Sequence, residues 1–277
     1  MNAATAERMS GGPAVLSIAG SDSGAGAGIQ ADLRTFAAAG VYGTCAITCL
    51  TAQNPDAVHA IQPATPDMVA AQIAAVWEAF PVCAVKTGML YSAAIIAAVA
   101  TDMQRRRPPL VVDPVMVAGS GARLLRDDAV EALQNQLFPS ATVITPNIPE
   151  AEILASMRIR DLAMQRQAAA AISERWGTAC VLKGGHLDDG GERLVNVTAW
   201  RGRIEIRRTP RVHGGKTHGT GCTFAAAMAA ALALGADVFE ASAYAGGAVA
   251  KALSDRPSVG KHAPLNWQAI QPYDRGR

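Results

Sequence analysis

The chain of 277 residues is long enough for one large domain or two small ones. Half of the residues are hydrophobic and only 17% are charged, which excludes an intrinsically disordered protein. The formal net charge is +2 and the longest basic run is Arg105 to Arg107, so neither a nucleic-acid partner nor a membrane surface, which need clustered positive charge, is expected.

The cysteines and the start of the chain indicate the compartment. Five cysteines is an odd number, and no two of them have CxxC spacing, so we expect reduced thiols and a cytoplasmic protein. Residues 1–16 contain no apolar signal core, and no apolar stretch is long enough to span a bilayer. The expectation is a protein without a membrane partner.

Short apolar runs alternate with segments of helical periodicity after residues 1–12, which we expect to be flexible. Strands are predicted at 14–20, 44–54, 83–88, 110–115, 142–146 and 179–185. Helices are predicted at 29–40, 65–80, 92–104, 127–137, within 148–176, and at 222–234 and 238–254. Residues 192–208 alternate in polarity around Arg201-Gly202 and predict a hairpin. The alternation predicts a mostly parallel sheet covered by helices on both faces, within a single domain over residues 13–277.

Two glycine patterns suggest nucleotide binding and must be tested against their full motifs. GAGIQA at 26–31 matches the dinucleotide pattern between a strand and a helix, but no acidic residue ends the following strand. An NAD-dependent oxidoreductase is therefore the weakest alternative. GGKT at 214–217 resembles the end of a P-loop, but Pro210 stands where that motif needs glycine, so the P-loop is excluded. The glycines at 26–28 still favour close approach of a ligand to a helix start.

The sequence HGTGC, residues 218–222, opens an alanine-rich predicted helix. Gly219 and Gly221 leave backbone N–H groups free to converge on an anion, which the helix dipole also favours. The same field is expected to lower the pKa of Cys222, so that its thiolate accepts a proton from a bound hydroxyl. Cys222 has a simpler alternative as a small residue that packs the helix start.

Two acidic residues follow predicted strands. Asp113 ends the run LVVD, and Glu150 closes the sequence NIPE at 147–150. A carboxylate at a strand end, facing a polyphosphate, suits Mg²⁺ either directly or through water. Glu150 equally suits the first turn of any helix, where the dipole favours negative charge, so both interpretations stay open.

Asp32 and Gln53 are candidates for reading a heterocycle. Asp32 is placed in the first turn of the first predicted helix, and Gln53 ends the second predicted strand. A carboxylate and an amide facing one cleft match a ring with donor and acceptor edges. The simpler alternatives are that Asp32 complements the helix dipole and that Gln53 hydrogen-bonds to the backbone. His218 flanks a glycine loop, but no spacing of histidine, cysteine and carboxylate indicates a zinc site.

Seven motifs in order carry a resemblance to a known family over about Val15 to Ala252. They are GSDSGAGAGIQADLRTF, TAQN, VKTGML, VVDPVM, ITPNIPEAE, VLKGGH and THGTGCTF. Together they resemble the hydroxymethylpyrimidine/phosphomethylpyrimidine kinases of thiamine biosynthesis, which are ribokinase-like enzymes. The resemblance implies a three-layer α/β/α fold with a mostly parallel central sheet and a small β-hairpin, usually in a homodimer.

The implied activity is transfer of the ATP γ-phosphate to 4-amino-5-hydroxymethyl-2-methylpyrimidine and then to its monophosphate, with ATP and Mg²⁺ required. By resemblance, the pyrimidine would be bound by Asp32, Gln53, Gly20 and Met89. The phosphoryl group would be held by Gly219, Thr220 and Gly221, with Cys222 as the base. ATP phosphates and Mg²⁺ would be organised by Lys183, Asn147, Glu150 and Asp113.

One departure from the family pattern and two rival functions leave alternatives open. Ala25 stands where relatives often have glycine, which the loop tolerates if the φ angle there is negative. A pyridoxal or pyridoxine kinase shares the GTGC sequence and acts on a similar hydroxymethyl-bearing ring. A non-catalytic ligand-binding protein on the same fold is the remaining alternative, although pure binding would not need the whole set of acidic, lysine and glycine residues.

Overall fold

The computed structural model describes residues 12–116, 125, 127–184, 192–212, 218–254 and 256–274. The expected flexible terminus, apart from residue 12, lies outside the described residues, so the domain boundary stays a prediction. Residues 214–217, where the P-loop was excluded, and residue 185, at the end of one predicted strand, also lie outside them.

The described residues form a nine-stranded sheet in the order β3-β2-β1-β4-β5-β6-β7-β8-β9. Strands β1, β2 and β4 to β7 run parallel, whereas β3, β8 and β9 join the two ends through antiparallel pairings. The strand bounds are β1 Ala14–Asp22, β2 Tyr42–Gln53, β3 Val58–Pro63, β4 Val82–Thr87, β5 Leu110–Val112, β6 Val143–Ile144, β7 Ala179–Lys183, β8 Arg193–Trp200 and β9 Arg203–Pro210. Since the parallel strands share one direction, their carboxyl ends meet along one edge.

Helices cover both faces of the sheet. Their bounds are α1 Gly28–Ala39, α2 Pro66–Ala79, α3 Ala93–Arg106, α4 Asp127–Ala132, α5 Ile148–Ala155, α6 Leu162–Trp176, α7 Thr220–Ala233 and α8 Val238–Ser254. One apolar core packs α2 to α6 against the sheet, and a second packs α1, α7 and α8 against the opposite face. The three-layer α/β/α fold is thus confirmed.

The starts of the helices differ in a way that bears on ligand binding. The side chains of Thr65, Ser92, Asn147 and Asp161 accept hydrogen bonds from backbone N–H groups at the starts of α2, α3, α5 and α6. No side chain caps α1 or α7. Because the first N–H groups of a helix have no partner within it, these two starts are suited to an external anion.

Most predicted elements are confirmed, while three predicted elements differ clearly in extent and one strand was not predicted. The strands predicted over 110–115 and 142–146 are shorter, and the helix predicted over 127–137 ends at residue 132 and continues as a π-helical turn, Leu133–Leu137. Strand β3 was not predicted. The hairpin turns at Arg201 and Gly202 as predicted, with φ angles of 50° and 77°.

Among the helices of the described residues, none combines the length and the apolar character needed to cross a membrane.

Candidate active site

The glycine loop, residues 22–28, contacts the start of α7 backbone to backbone. A Cβ atom on Gly219 would lie 1.8 Å from the carbonyl oxygen of Gly26, and one on Gly28 would lie 2.3 Å from that of Gly20. Gly219 and Gly28 also have φ angles of 87° and 57°, which favour glycine. Across this contact the backbone N–H of Gly28 lies close enough to the Cys222 sulfur to lower the pKa of the thiol. The two predicted ligand-binding loops therefore form one site.

Asp22 organises this loop, which the sequence did not suggest. Its Oδ1 accepts the N–H of Gly24 at 2.8 Å, and its Oδ2 accepts those of Gly26 and Ala27 at 3.1 and 2.9 Å. Oδ2 also lies 2.9 Å from Nε2 of His218, next to the start of α7. Burial raises the pKa of Asp22, but the hydrogen bonds from His218 and the loop outweigh it and leave the pKa below its ordinary value.

Ala25 adopts a conformation that the sequence argument did not expect. Its φ angle is 58°, so the condition of a negative φ for tolerating alanine is not met. The backbone N–H of Ala25 donates to the carbonyl of Asp22, and the Arg34 guanidinium donates to the carbonyl of Ala25 at 2.8 Å. These contacts hold Ala25 in a left-handed conformation that glycine would adopt without strain.

Lys183 and Asp113 form an ion pair at the edge where β5 and β7 end. Lys183 Nζ donates to Asp113 Oδ1 at 2.9 Å, and the Thr145 hydroxyl donates to the same oxygen at 3.3 Å. A Cβ on Gly221 would lie 3.4 Å from Lys183 Nζ and 3.8 Å from Asp113 Oδ2. The start of α7 therefore has an ammonium group and a carboxylate beside it. This is the charge pattern that a Mg²⁺-bound polyphosphate requires.

Glu150 caps helix α5. Its Oε2 accepts the N–H of Asn147 at 2.9 Å, Asn147 Oδ1 accepts the N–H of Glu150 at 2.9 Å, and Glu150 Oε1 accepts the N–H of Met116 at 3.0 Å. Burial and the charge of Asp113 raise the pKa of Glu150 to about 7, while Lys183 opposes the rise. Glu150 therefore lies in the first turn of α5, as one of the two interpretations expected, and there forms a capping box with Asn147, while the metal interpretation stays a prediction.

Asp32 forms a second lysine–aspartate pair. Its Oδ2 accepts Lys86 Nζ at 2.7 Å and the Ser17 hydroxyl at 2.5 Å, with both charged side chains fully buried. It lies beyond the first turn of α1, so the interpretation as a dipole complement is wrong. Oδ1 is also buried and has no hydrogen-bond partner in the described part of the chain. A direct contact with a pyrimidine, which stays a prediction, would require this oxygen to become accessible.

The expected low pKa of Cys222 is wrong. Burial raises the pKa of this thiol to about 11, although Lys86 and the N–H of Gly28 lower it. Asp32 and Asp113 add to the rise. Desolvation disfavours the thiolate more strongly than the helix start and the lysine favour it, so the free protein holds a neutral thiol at pH 7.

The other predicted pyrimidine ligands line the opposite side of the glycine loop. Gln53 Nε2 lies 3.2 Å from His218 Nε2, and the Gln53 backbone exchanges hydrogen bonds with the Ser23 hydroxyl. A Cβ on Gly20 would lie 3.8 Å from the sulfur of Met89, which is half-buried. Gln53 thus contacts the residue that precedes Gly219, and Gly20 lies near Met89, although the closest atom to a Cβ there would be the Cys49 sulfur, at 2.8 Å.

The structure brings most of the predicted site residues to one edge of the sheet. Thr220, the first residue of α7, follows Gly219, and Asn147 is joined to Lys183 by an isolated parallel bridge. Asp22 and Lys86 are the residues that the sequence analysis did not single out. Their partners lie 196 and 54 residues away, so no local pattern reveals them. Within the described residues, no group of three or more histidine, cysteine or acidic side chains is arranged to hold a metal by itself.

Comparison with known proteins gives a family and a fold. The family model described as phosphomethylpyrimidine kinase matches residues 22–266. The hydroxymethylpyrimidine/phosphomethylpyrimidine kinase of Haemophilus influenzae is 45% identical over 260 residues, which cover 92% of this chain and 96% of the relative. The thiamine biosynthesis bifunctional protein ThiED of Geobacter sulfurreducens is also 45% identical, and the match covers 91% of this chain but about half, 51%, of that longer relative.

Among solved structures, the ADP complex of Bacillus subtilis pyridoxal kinase superposes with a TM-score of 0.86 at 36% identity. The match covers 94% of this chain and 99% of that one.

Proposed function

Because this chain belongs to the phosphomethylpyrimidine kinase family, we propose that it phosphorylates 4-amino-5-hydroxymethyl-2-methylpyrimidine with ATP and then phosphorylates the monophosphate to the diphosphate. It is a kinase of thiamine biosynthesis. The observation that carries the proposal is the joined site, in which the glycine loop, Cys222 and the uncapped start of α7 lie beside the Lys183–Asp113 pair.

The α7 start and Lys183 carry the phosphoryl-transfer step. Gly219, Thr220 and Gly221 present backbone N–H groups to the transferring phosphoryl group, and Lys183 donates to phosphate oxygens of ATP. Phosphoryl transfer depends mainly on positioning and on stabilising negative charge, so preorganised donors supply most of the rate. Asn147 fixes the backbone beside Lys183 through the bridge between them.

Cys222 accepts the proton of the attacking hydroxyl late in the reaction. The Gly28 N–H of the glycine loop acts on its thiol, which supports a position between the proposed pyrimidine side and the proposed phosphate side. A thiol with a raised pKa is a poor base in the free protein but a strong one once ionised. The substrate hydroxyl becomes acidic only as its bond to phosphorus forms, so a small population of thiolate is sufficient.

Mg²⁺ fits the donors beside Lys183. Asp113 is a buried carboxylate whose Oδ2 faces Gly221, and Glu150 lies close enough for the charge of Asp113 to raise its pKa. Carboxylate oxygens, water and phosphate are the ligands Mg²⁺ prefers. Asp113 would hold the ion directly and Glu150 through water, because both Glu150 oxygens already accept backbone N–H groups. The bound ion would neutralise charge on the ATP phosphates.

The pyrimidine lies against Gln53, Gly20 and Met89. The Gln53 amide offers both a donor and an acceptor to the ring edge, and the Asp32–Lys86 pair lies beneath it. Replacing Gln53 by leucine is expected to raise the KM for the pyrimidine and to leave the KM for ATP within about twofold. A weakened ATP affinity would instead place the nucleotide where we place the ring.

The proposal extends to the assembly and the compartment. Leu50 and Val58 are exposed on the paired strands β2 and β3 at one end of the sheet, and an apolar strand edge of this kind suits a second copy of the chain. A homodimer is therefore proposed, to be tested by light scattering. The five cysteines, free throughout the described residues, accord with a reducing cytoplasm.

The experiment offers hydroxymethylpyrimidine, its monophosphate and pyridoxal separately with ATP and Mg²⁺ and identifies the products by mass. Mono- and diphosphate formed from the pyrimidine support the proposal. A pyridoxal kinase remains the second candidate because of the structural likeness to the Bacillus subtilis enzyme. Phosphorylation of pyridoxal alone would favour it, and no product from any substrate would favour a ligand-binding protein.

A further inference from the structure

The segment after α8, residues 265–273, lies across α1 and α7, and we call it the carboxyl-terminal strap. Leu265, Trp267 and Ile270 of the strap are buried in the core that contains both helices. Its far end is fixed by two backbone contacts, from the Tyr273 N–H to Ala39 and from the Tyr244 hydroxyl to Gln271. The strap therefore contacts the two helices whose uncapped starts form the site.

Trp267 joins the strap to the start of α7. Its indole Nε1 donates to the hydroxyl of Thr223 at 3.2 Å, and both residues are buried. Thr223 directly follows Cys222, and its backbone N–H donates to Gly219. The indole thus fixes the turn of α7 that presents the predicted base and the anion-binding N–H groups.

Arg34 joins the same indole to the glycine loop. The guanidinium lies 4.9 Å from the centroid of the Trp267 ring, a cation–π contact, while its Nη1 donates to the carbonyl of Ala25 at 2.8 Å. Ala25 is the left-handed residue of the loop, with a φ angle of 58°. One side chain therefore supports the strained residue of the loop and rests on the ring that fixes α7.

We propose that Arg34 and Trp267 are positioning residues, which hold the glycine loop in register with the start of α7 so that the acceptor hydroxyl and the transferring phosphoryl group align. Neither residue contacts the reacting atoms. The inference rests on the proposed kinase function for its kinetic consequence. The two loops meet at the close backbone contact of Gly219 with Gly26, and the N–H of Gly28 acts on the Cys222 thiol. A small shift between them changes the reacting distance, and phosphoryl transfer is sensitive to such shifts.

The test compares Arg34→Ala with a matched control on the other face of the sheet. Arg106 lies 4.8 Å from the ring centroid of Trp77, an equivalent cation–π contact between α3 and α2. We expect Arg34→Ala to lower kcat about tenfold with the KM for ATP within about twofold, and Arg106→Ala to keep kcat within about twofold. Arg34→Lys, which keeps a donor for Ala25, should recover part of the loss. Trp267→Phe keeps the aromatic face and loses the Thr223 contact, so it should also lower kcat.

A second measurement does not depend on activity. Hydrogen exchange of the ligand-free protein, read on peptides covering the glycine loop and the start of α7, should be at least about fivefold faster in Arg34→Ala than in Arg106→Ala. Equal exchange and equal kcat in the two variants would overturn the inference, as would a matched loss of thermal stability without a kinetic difference. If the wild-type protein phosphorylates none of the substrates, the kinase proposal fails alone, and the exchange rates still decide whether Arg34 holds the loop.

Discussion

Two lysine–aspartate pairs lie at the same edge of the sheet and differ in their access to solvent. Lys86 and Asp32 are 2.7 Å apart, and neither side chain has any exposed surface. Lys183 and Asp113 are 2.9 Å apart, with 15% and 5% of their side chains exposed. The first pair joins the end of β4 to α1, and the second lies beside the start of α7.

The difference in exposure affects what each pair can do. In the fully buried pair each charge depends mainly on the other, with the Ser17 hydroxyl as a further donor to Asp32, and the Asp32 carboxylate keeps the pKa of Lys86 above its ordinary value despite burial. A partly exposed lysine beside a helix start exchanges a carboxylate for a phosphate without leaving a charge unpaired. We therefore expect the buried pair to contribute mainly to stability, and we propose that the partly exposed pair acts in catalysis.

The largest expected effect breaks the buried pair. Lys86→Met leaves Asp32 buried without its partner and should lower the free energy of unfolding by about 3–5 kcal/mol. The double variant Lys86→Met with Asp32→Asn removes both charges and should recover a large part of that loss. Urea denaturation of the single and double variants measures both values. If the double variant is no more stable than Lys86→Met, the loss comes from packing rather than from an unpaired charge.

The partly exposed pair of Lys183 and Asp113, called the open pair below, should lose more activity than stability when its lysine is replaced. Lys183→Met is expected to lower kcat by about 10²–10³-fold, because it removes a preorganised donor to the transferring phosphate. Its unfolding free energy should fall by less than that of Lys86→Met, because solvent reaches the remaining carboxylate. Parallel kinetics and denaturation of the two variants give the comparison directly. A Lys183→Met enzyme with near wild-type kcat and a large loss of stability would reverse the assignment of the two pairs.

Cys222 lies under the influence of both pairs, since Lys86 lowers its pKa and the two aspartates raise it. Cys222→Ala should lower kcat about 10²-fold and leave the KM for ATP within about twofold. Since the thiol has a pKa of about 11, its alkylation by iodoacetamide in the free protein should rise about tenfold per pH unit between roughly pH 8 and 10. Peptide mass spectrometry separates it from the other cysteines. An alkylation rate already at its plateau at pH 8 would restore the low pKa that the sequence suggested.

The sequence predicts elements well where local pattern decides them. The alternation of strand and helix, the hairpin turn at Arg201-Gly202 and the helix starts after glycine are confirmed because each depends on nearby residues. Strand β3, Val58–Pro63, was missed because it is short, mostly exposed and ends in proline, so it carries no alternation of buried residues. Its strand conformation comes from pairing with β2.

For the candidate site, too, the sequence predicts what local residues decide and misses what distant residues decide. The glycines and acidic residues at strand ends were found from motif and position, but their chemical states were not. Cys222 was expected to be thiolate-prone from its place at a helix start, yet burial by distant residues controls its pKa. The pairing of Asp22 with His218 and of Asp32 with Lys86 depends on the folded arrangement of strands far apart in the chain.

The smallest expected effect concerns Glu150, which borders the open pair and has its pKa raised by burial to about 7. The folded protein holds this proton more tightly than the unfolded chain, so its stabilising contribution is complete below about pH 4.5 and is lost as the pH rises through 7.

Glu150→Gln keeps one acceptor oxygen, enough for the N–H of Asn147 but not also for that of Met116, and has no proton to lose in this pH range. Its unfolding free energy, relative to wild type, should therefore rise between pH 4.5 and 7 with a slope of at most ~1.4 kcal/mol per pH unit and level off above pH 8. Urea denaturation across this range measures the free energy of unfolding, and Glu174→Gln on the exposed face of α6 is the control for replacing a carboxylate by an amide.

Lys183 lowers the pKa of Glu150, so in a Lys183→Met background the fall in stability should move to higher pH. A pH dependence that is the same with and without Lys183 would mean that Lys183 does not act on Glu150. The influence of the open pair would then not extend beyond Lys183 and Asp113 themselves.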